Sequence, residues 1–475
     1  MQVPDDGRAV FDAGLIQRYD RPGPRYTSYP TAVQFHPGFG VDEYVAAARA
    51  SNAPGRDGVV RPLSLYVHVP FCASPCFYCG CNKVITRDHS KAALYLDRLY
   101  REIERQGALY DKSRPVNQLH FGGGTPTFLS TRQIAELLEK MRRHFALTNA
   151  PDREYSIEID PRTIDLDRLE ELSKLGFNRV SLGVQDFDAA VQVAVNRVQS
   201  CEGTLALISR AREVGIESVS VDLIYGLPKQ NRTTFARTLD LVIDARPDRI
   251  ATYSYAHLPH LFKPQRQIRT ADLISAAEKL GLLELTVQKL SDAGYVYVGM
   301  DHFALPTDEL VRAQRAGTLH RNFQGYSTQA ECDLVAFGVS SISKVGDAYA
   351  QNAKTLNDYY AAIDAGGLAV RRGVQLTRDD RIRRDVIQRL MCATRLSFEE
   401  VEAEHGIVFE EYFLGELEQL RPLEADGLVR NEDRGLVVTG RGRLLMRNVA
   451  MPFDAHLPEA QPVAPGETPR FSRAV

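Results

Sequence analysis

The chain has no surplus of charge and no long apolar run, and it uses little cysteine. Its 58 basic and 61 acidic residues leave a net charge of −3, which gives no reason to expect a nucleic-acid partner. No stretch of about eighteen apolar residues occurs, so no membrane span is expected. The opening MQVPDDGRAVFDAG is acidic and lacks the apolar segment of a secretory signal, which makes the cytoplasm the expected location. Seven cysteines in 475 residues exclude the disulfide framework of a small secreted domain. Cys201, Cys332 and Cys392 are isolated and read as buried small side chains. The other four are concentrated. Cys72, Cys76, Cys79 and Cys81 fall within ten positions of LYVHVPFCASPCFYCGCNK (65–83).

At 44% apolar content the chain can bury a large core, enough for a (β/α)-barrel-type domain and one or two smaller ones. Residues 1–60 show little regular pattern apart from RPGPRYTSYPTA (21–32), a proline-stiffened segment that reads as an extended arm. The arm is a candidate lid, with Arg25 free to meet a carboxylate or to pack on Tyr26 or Tyr29. From residue 61 strand and helix patterns alternate. The strands are LSLYVHVP (63–70), VNQLHFGG (116–123), EYSIEID (154–160), RVSLGVQD (179–186), SVSVDLIYG (218–226) and RIATYSYAH (249–257). Six such units predict parallel strands with right-handed crossovers, in an open or closed sheet. A helix near 271–293 and a strand over YVYVGMDHFA (295–304) are expected to extend this domain to about residue 355. In 356–475 helices precede two apolar runs flanking NEDRG, a hairpin signal that predicts a small, mainly α, winged-helix-like domain. Aspartates interleave with Arg381, Arg383, Arg384 and Arg389, which reads as a helix face rather than a nucleic-acid surface. The proline-rich 457–470 reads as irregular.

Three chemistries compete for C-x3-C-x2-C-G-C. A structural zinc site wants a second knuckle, which is absent. A redox pair needs only C-x-x-C and leaves Cys72 unexplained. Three thiolates from one loop also suit a four-iron, four-sulfur (4Fe–4S) cluster with one iron left open for chemistry, and the spacing favours this. The loop follows the first strand, at the end where α/β barrels keep their active sites. Polar residues end the neighbouring strands: GGGT (122–125), Glu158, Gln185 with Asp186, and Asp222. Convergent polar groups of that kind suit a polar ligand.

The C-x3-C-x2-C loop, with the aromatic Tyr78 before its last cysteine, resembles the radical S-adenosylmethionine (SAM) superfamily. That resemblance implies a partial (β/α)6 TIM-type barrel, a cluster on Cys72, Cys76 and Cys79, and SAM as cosubstrate. GPRYTSYPTA, YVHVPFC, CGCNK, FGGGTPT, SLGVQDF, VNR, DLIYGLPKQ, GMDHFA and LHRNFQGYST together resemble the oxygen-independent coproporphyrinogen III oxidase family over nearly the whole chain. The family's positions imply that Tyr66, Gly123, Glu158 and Ile342 surround a SAM on the cluster. They imply that Tyr78, Gly124, Thr125, Gln185, Arg197, Asp222 and Ala256 surround a second SAM. Cys81 then stands as a catalytic candidate outside the cluster. The implied substrate is coproporphyrinogen III, with a small electron-donor protein as partner and a monomeric enzyme. The alternative is a haem-binding chaperone on the same barrel, whose relatives lack the fourth cysteine and are shorter at both ends.

Overall fold

The computed structural model describes residues 8–55, 58–329 and 332–457, which form two compact units. Of the described residues, one unit comprises 35–55, 58–279 and 332–375; the other comprises 8–34, 280–329 and 376–457. The expected segments 1–60, 61–355 and 356–475 follow chain order, whereas compactness groups the arm, 280–329 and 376–457 together.

The larger unit is built on six parallel strands: β1 (Leu63–Val69), β2 (Pro115–Gly123), β3 (Glu154–Ile159), β4 (Arg179–Gln185), β5 (Ser218–Tyr225) and β6 (Arg249–Ser254). They lie in chain order across the sheet, with every neighbouring pair parallel. Helices Ser90–Gly107, Thr131–His144, Leu166–Lys174, Cys201–Glu213 and Arg232–Ala245 make the crossovers. Four of these start at side-chain caps supplied by Ser130, Asp165, Ser200 and Asn231, each satisfying amides of the first turn. The β-branched and leucine positions inside the strands, such as Leu65, Val67, Leu119, Ile157, Val180, Leu182, Val219 and Val221, are buried. This is the expected partial (β/α)6 barrel.

The sheet extends beyond β1. A seventh strand, β7 (Asp333–Phe337), runs parallel to β1, and β8 (Ile342–Val345), β9 (Ala348–Asn352) and β10 (Val370–Gln375) continue it antiparallel. Arg114 and Asp333, at the ends of the two strands flanking β1, meet at 2.6 Å with side chains 1% and 4% exposed. Arg114 also donates to the Arg61 carbonyl, and Asp333 accepts from the Gly346 amide. On the outer face, Glu102 of the first crossover helix accepts from the Tyr359 hydroxyl, the Asn352 amide and the Gly338 N–H. These bonds tie the sequence-distant half of the sheet to the six strands.

In the other unit, 295–304 is a hairpin, Val296–Gly299 antiparallel to His302–Ala304, rather than the single strand expected. Met300 and Asp301 turn it with left-handed φ of 43° and 75°. The winged pattern is present. Strand Gly435–Val438 pairs with Arg395–Ser397 and Val429–Glu432, beside helices Arg378–Cys392, Phe398–His405 and Leu414–Ala425. Two arginines of the first helix are matched by acids: Arg383 by Asp379 and Glu416, and Arg389 by Asp385.

The arm is part of this core. Tyr26 and Tyr29 are fully buried, the Tyr26 hydroxyl donates to Asp454 at 3.1 Å, and the Tyr29 hydroxyl accepts from the Ala455 amide at 3.0 Å. Arg25 pairs with Asp301. Such burial argues against a loose lid over 25–30. Helices Ala13–Tyr19 and Val41–Ala50 also stand where no regular pattern was expected, and the proline-rich stretch from 458 lies outside the described residues.

Replacing Arg114 by Met leaves the Asp333 carboxylate buried without its cation. A broken buried pair costs about 3–5 kcal/mol, so the urea midpoint is expected to fall by the corresponding amount. An unchanged midpoint contradicts the clasp.

Candidate active site

A cavity of about 420 Å³ sits at the C-terminal ends of β1–β5, walled by the four cysteines and twelve of the fifteen residues anticipated from sequence, those cysteines included. Tyr66, Ala256 and Ile342 are the exceptions. Tyr66 is tied in behind the wall, its hydroxyl donating to His68 Nδ1 at 3.1 Å while His68 Nε2 donates to the Asn82 carbonyl at 3.0 Å. Ile342 begins β8 and pairs with Gln351. Ala256 is exposed just beyond β6.

The cysteine loop has little regular structure of its own, so other segments must hold it. Residues 195–197 do so: the Val195 carbonyl accepts from the Phe77 amide at 2.9 Å, Asn196 donates to the Pro75 carbonyl at 2.7 Å, and Arg197 reaches Cys76 Sγ at 3.4 Å. Asn196 takes a left-handed φ of 54° to make this approach. Gln265 holds the other side, donating to the Tyr78 carbonyl at 3.0 Å and the Ala256 carbonyl at 3.1 Å. Lys83 Nζ donates to the Cys79 carbonyl at 2.9 Å.

The thiols differ in environment. Burial pushes Cys72 up to about 11 against the hydrogen bond from Thr125. The Cys81 S–H bond, aided by the Lys83 charge, pulls Cys79 down to about 5 despite burial, and Cys81 keeps its proton. The Tyr78 hydroxyl finds its partner in Cys76. No three of the four sulfurs lie within 4.8 Å of one another. Two Zn–S bonds span at most about 4.6 Å, a tighter gathering than three of these sulfurs show. A thiolate set spread more widely around one cavity fits a multi-iron cluster.

Glycines let β2 close on the loop. Gly123 has φ 117°, and a Cβ there would stand 2.7 Å from His68. At Gly124 a Cβ would lie 2.8 Å from the Pro70 backbone. The Gly123 N–H donates to Glu158 at 3.1 Å, as does His120 Nε2. Burial pushes Glu158 up, but the hydrogen bond and charge of His120 and the Gly123 amide more than offset it, so the carboxylate stays ionised below its ordinary range. On β4, Gln185 adopts φ 66° at an irregularity between Gly183 and Gln185 in the pairing with β5, which aims it into the cavity. Asp222 accepts from the Ser181 hydroxyl at 3.1 Å. Asp186 is not in the mouth. It is buried as an acceptor for Gln230 and Thr238, because one residue further along a strand end reverses the side chain's direction.

Asp160, Arg162, Asn196, His120 and Gln265 were not singled out from sequence. Arg162 pairs with Asp160 at 2.7 Å and donates to Cys76 Sγ at 3.4 Å, and Arg197 Nε is buried without a partner. For Asn196 the signal was available, since VNR was a motif of the resemblance. For Gln265, 187 residues from Tyr78, none was.

Comparison with known proteins agrees. The pattern of the radical SAM superfamily matches residues 66–242, and that of the HemN C-terminal domain matches 376–445. The oxygen-independent coproporphyrinogen III oxidase of Pseudomonas aeruginosa is 52% identical over 465 residues, covering 98% of this chain and 99% of its own. This chain belongs to the oxygen-independent coproporphyrinogen III oxidase family. The relative of that name from Escherichia coli K12 is 51% identical over 94% of this chain and 96% of its own. A solved coproporphyrinogen III oxidase (HemN) from Escherichia coli, described as a radical SAM enzyme, superposes with a TM-score of 0.89 at 49% identity, covering 95% of this chain and 100% of its own. The family carries a 4Fe–4S cluster and uses SAM, and the three-thiolate cavity fits both. Among the described residues no helix is long and apolar enough to cross a membrane.

The Asp222 carboxyl is pushed up to about 7, first by burial and then by the Glu158 charge. Its ordinary value is 3.8, so between those values the folded chain binds a proton that the unfolded chain has released. Stability of the unliganded protein therefore declines as pH rises through this window and levels off above it. Asp222→Asn removes that dependence. The variant's advantage in urea midpoint is expected to grow from pH 4 to 7 and then level; an advantage independent of pH contradicts it.

Proposed function

We propose that the protein converts two propionate side chains of coproporphyrinogen III to vinyl groups without oxygen, giving protoporphyrinogen IX in haem biosynthesis. The observation that carries this reading is the 52% identity, over 98% of the chain, with an oxidase of that name, joined to a cysteine-lined cavity at the strand ends. The haem-chaperone alternative has no such support.

Cys72, Cys76 and Cys79 would hold the cluster, leaving one iron without a protein ligand. When bound, it supplies one electron to cleave SAM to methionine and a 5′-deoxyadenosyl radical, which takes a hydrogen atom from an unactivated carbon. A propionate β-hydrogen is not acidic, so no side chain acting as a base at neutral pH replaces this step. Each turnover removes one hydrogen atom, carbon dioxide and one further electron, the last passing to an acceptor. The chain's own residues bind and orient. Glu158, held ionised, and the glycine edge of β2 would receive the amino group of the first SAM, beside Tyr66 and Ile342. Tyr78, Gly124, Thr125, Gln185, Arg197, Asp222 and Ala256 would hold the second. A small electron-donor protein would supply the electrons to a cytoplasmic monomer.

Anaerobic incubation with SAM, a reductant and coproporphyrinogen III, followed by product identification, tests the reading. Protoporphyrinogen IX and 5′-deoxyadenosine are expected. Stable haem binding without turnover overturns it. Cys76→Ala is expected to lose both iron and SAM cleavage. Cys81→Ser is expected to keep its iron but lose most turnover, consistent with a thiol that touches substrate or the second SAM; unimpaired turnover makes it a packing residue.

A further inference from the structure

The three cluster cysteines receive unequal hydrogen bonding. Cys72 Sγ accepts from one neutral hydroxyl, that of Thr125, at 3.4 Å. Cys79 takes the S–H of Cys81. Cys79 also feels the Lys83 ammonium, but Cys76 meets two guanidinium groups: Arg162 Nη2 and Arg197 Nη1 each donate to its Sγ at 3.4 Å. Asp160 joins the two arginines, its Oδ2 accepting from Arg162 at 2.7 Å and from Arg197 at 3.2 Å. The Asp160 and Arg197 side chains are 9% and 8% exposed and that of Arg162 is 22% exposed, so water screens this triad only in part. Two guanidinium groups and one carboxylate leave one net positive charge against a single sulfur.

Arg197 has other work, donating to the Gly183 carbonyl at 2.6 Å and lying at a position the resemblance gives to SAM. Arg162 has none of that kind. Its remaining bonds go to Asp160 and, at 3.5 Å, to the Asn196 carbonyl. We infer that Arg162, held in place by Asp160, sets the reduction potential of the cluster through Cys76. The inference rests on the cluster assignment above.

The physics has a definite sign. Reduction moves one electron from a low-potential one-electron donor onto the cluster and so adds one negative charge. A cation hydrogen-bonded to a ligand sulfur in a partly screened wall favours that more negative state, and the outer partners of metal ligands tune the metal in this way. Asp160 opposes it. The two residues therefore act in opposite directions on one quantity, which a merely structural role would not produce.

The test uses anaerobically reconstituted full-length protein, titrated with dithionite and followed by electron paramagnetic resonance of the reduced cluster. Iron and sulfide content of the parent protein is measured first; a parent without a cluster overturns the site assignment and this inference with it. With four irons retained, Arg162→Gln is expected to lower the reduced-to-oxidised ratio about tenfold at fixed poise, ~59 mV for one electron. Asp160→Asn, which can still cap the following turn, is expected to raise the ratio severalfold. A loaded Arg162→Gln protein with the parental ratio overturns the inference. If Arg162→Gln holds no iron, Asp160→Asn decides: a raised ratio supports the inference, and an unchanged or lowered one overturns it.

Discussion

The loop that carries the cysteines at the end of β1 is closed at its base by its own short pairing, Phe71–Cys72 with Val84–Ile85, and its tip depends on being fastened from outside. The fastening comes from residues 195–197, which hold the loop by a carbonyl, a side-chain amide and a guanidinium in succession. The parallel sheet makes this possible. It brings the segment after β4 over the end of β1, although 121 residues separate Arg197 from Cys76. Gln265 completes the clamp from beyond β6.

Charge is sorted across the cavity. Arg162 and Arg197 face Cys76, whereas Glu158 and Asp222 stand on β3 and β5 near enough for the first to raise the second. The cationic side matches thiolate ligands and a cluster that must accept an electron. The anionic side matches a cosubstrate that carries a sulfonium and an ammonium group. Two carboxylates in one cavity would repel each other, and the structure resolves this unequally. His120 and the Gly123 amide keep Glu158 ionised, while Asp222 is left with one hydroxyl donor and rises to about 7.

The six strands were legible because each is a short β-branched run ended by glycine or a polar residue, and the strand-end position of Glu158, Gln185 and Asp222 followed from that rhythm. Strands β7–β10 were not. β7 is a short apolar run, DLVAF, with no helix pattern leading into it, and β8–β10 carry serine, lysine, glutamine and arginine where they pair. The hairpin at 300–301 escaped because its turn uses Met and Asp in left-handed conformations that glycine or asparagine usually signals. At the site, residue type and spacing pointed to candidate ligands but not to what orients them. Asp160, Arg162 and Gln265 acquire their roles only through contacts that the fold creates, and Asp186, which looked equivalent to Gln185, points into the core.

The central claim is that three thiolates, and not the fourth, bind a multi-iron cluster in the mouth of this barrel. Anomalous diffraction at the iron edge, from crystals grown anaerobically, tests it most directly. The account predicts four iron positions within bonding distance of Cys72, Cys76 and Cys79, with Cys81 unbound. A single metal ion, or a cluster ligated by Cys81 in place of one of the three, would contradict it.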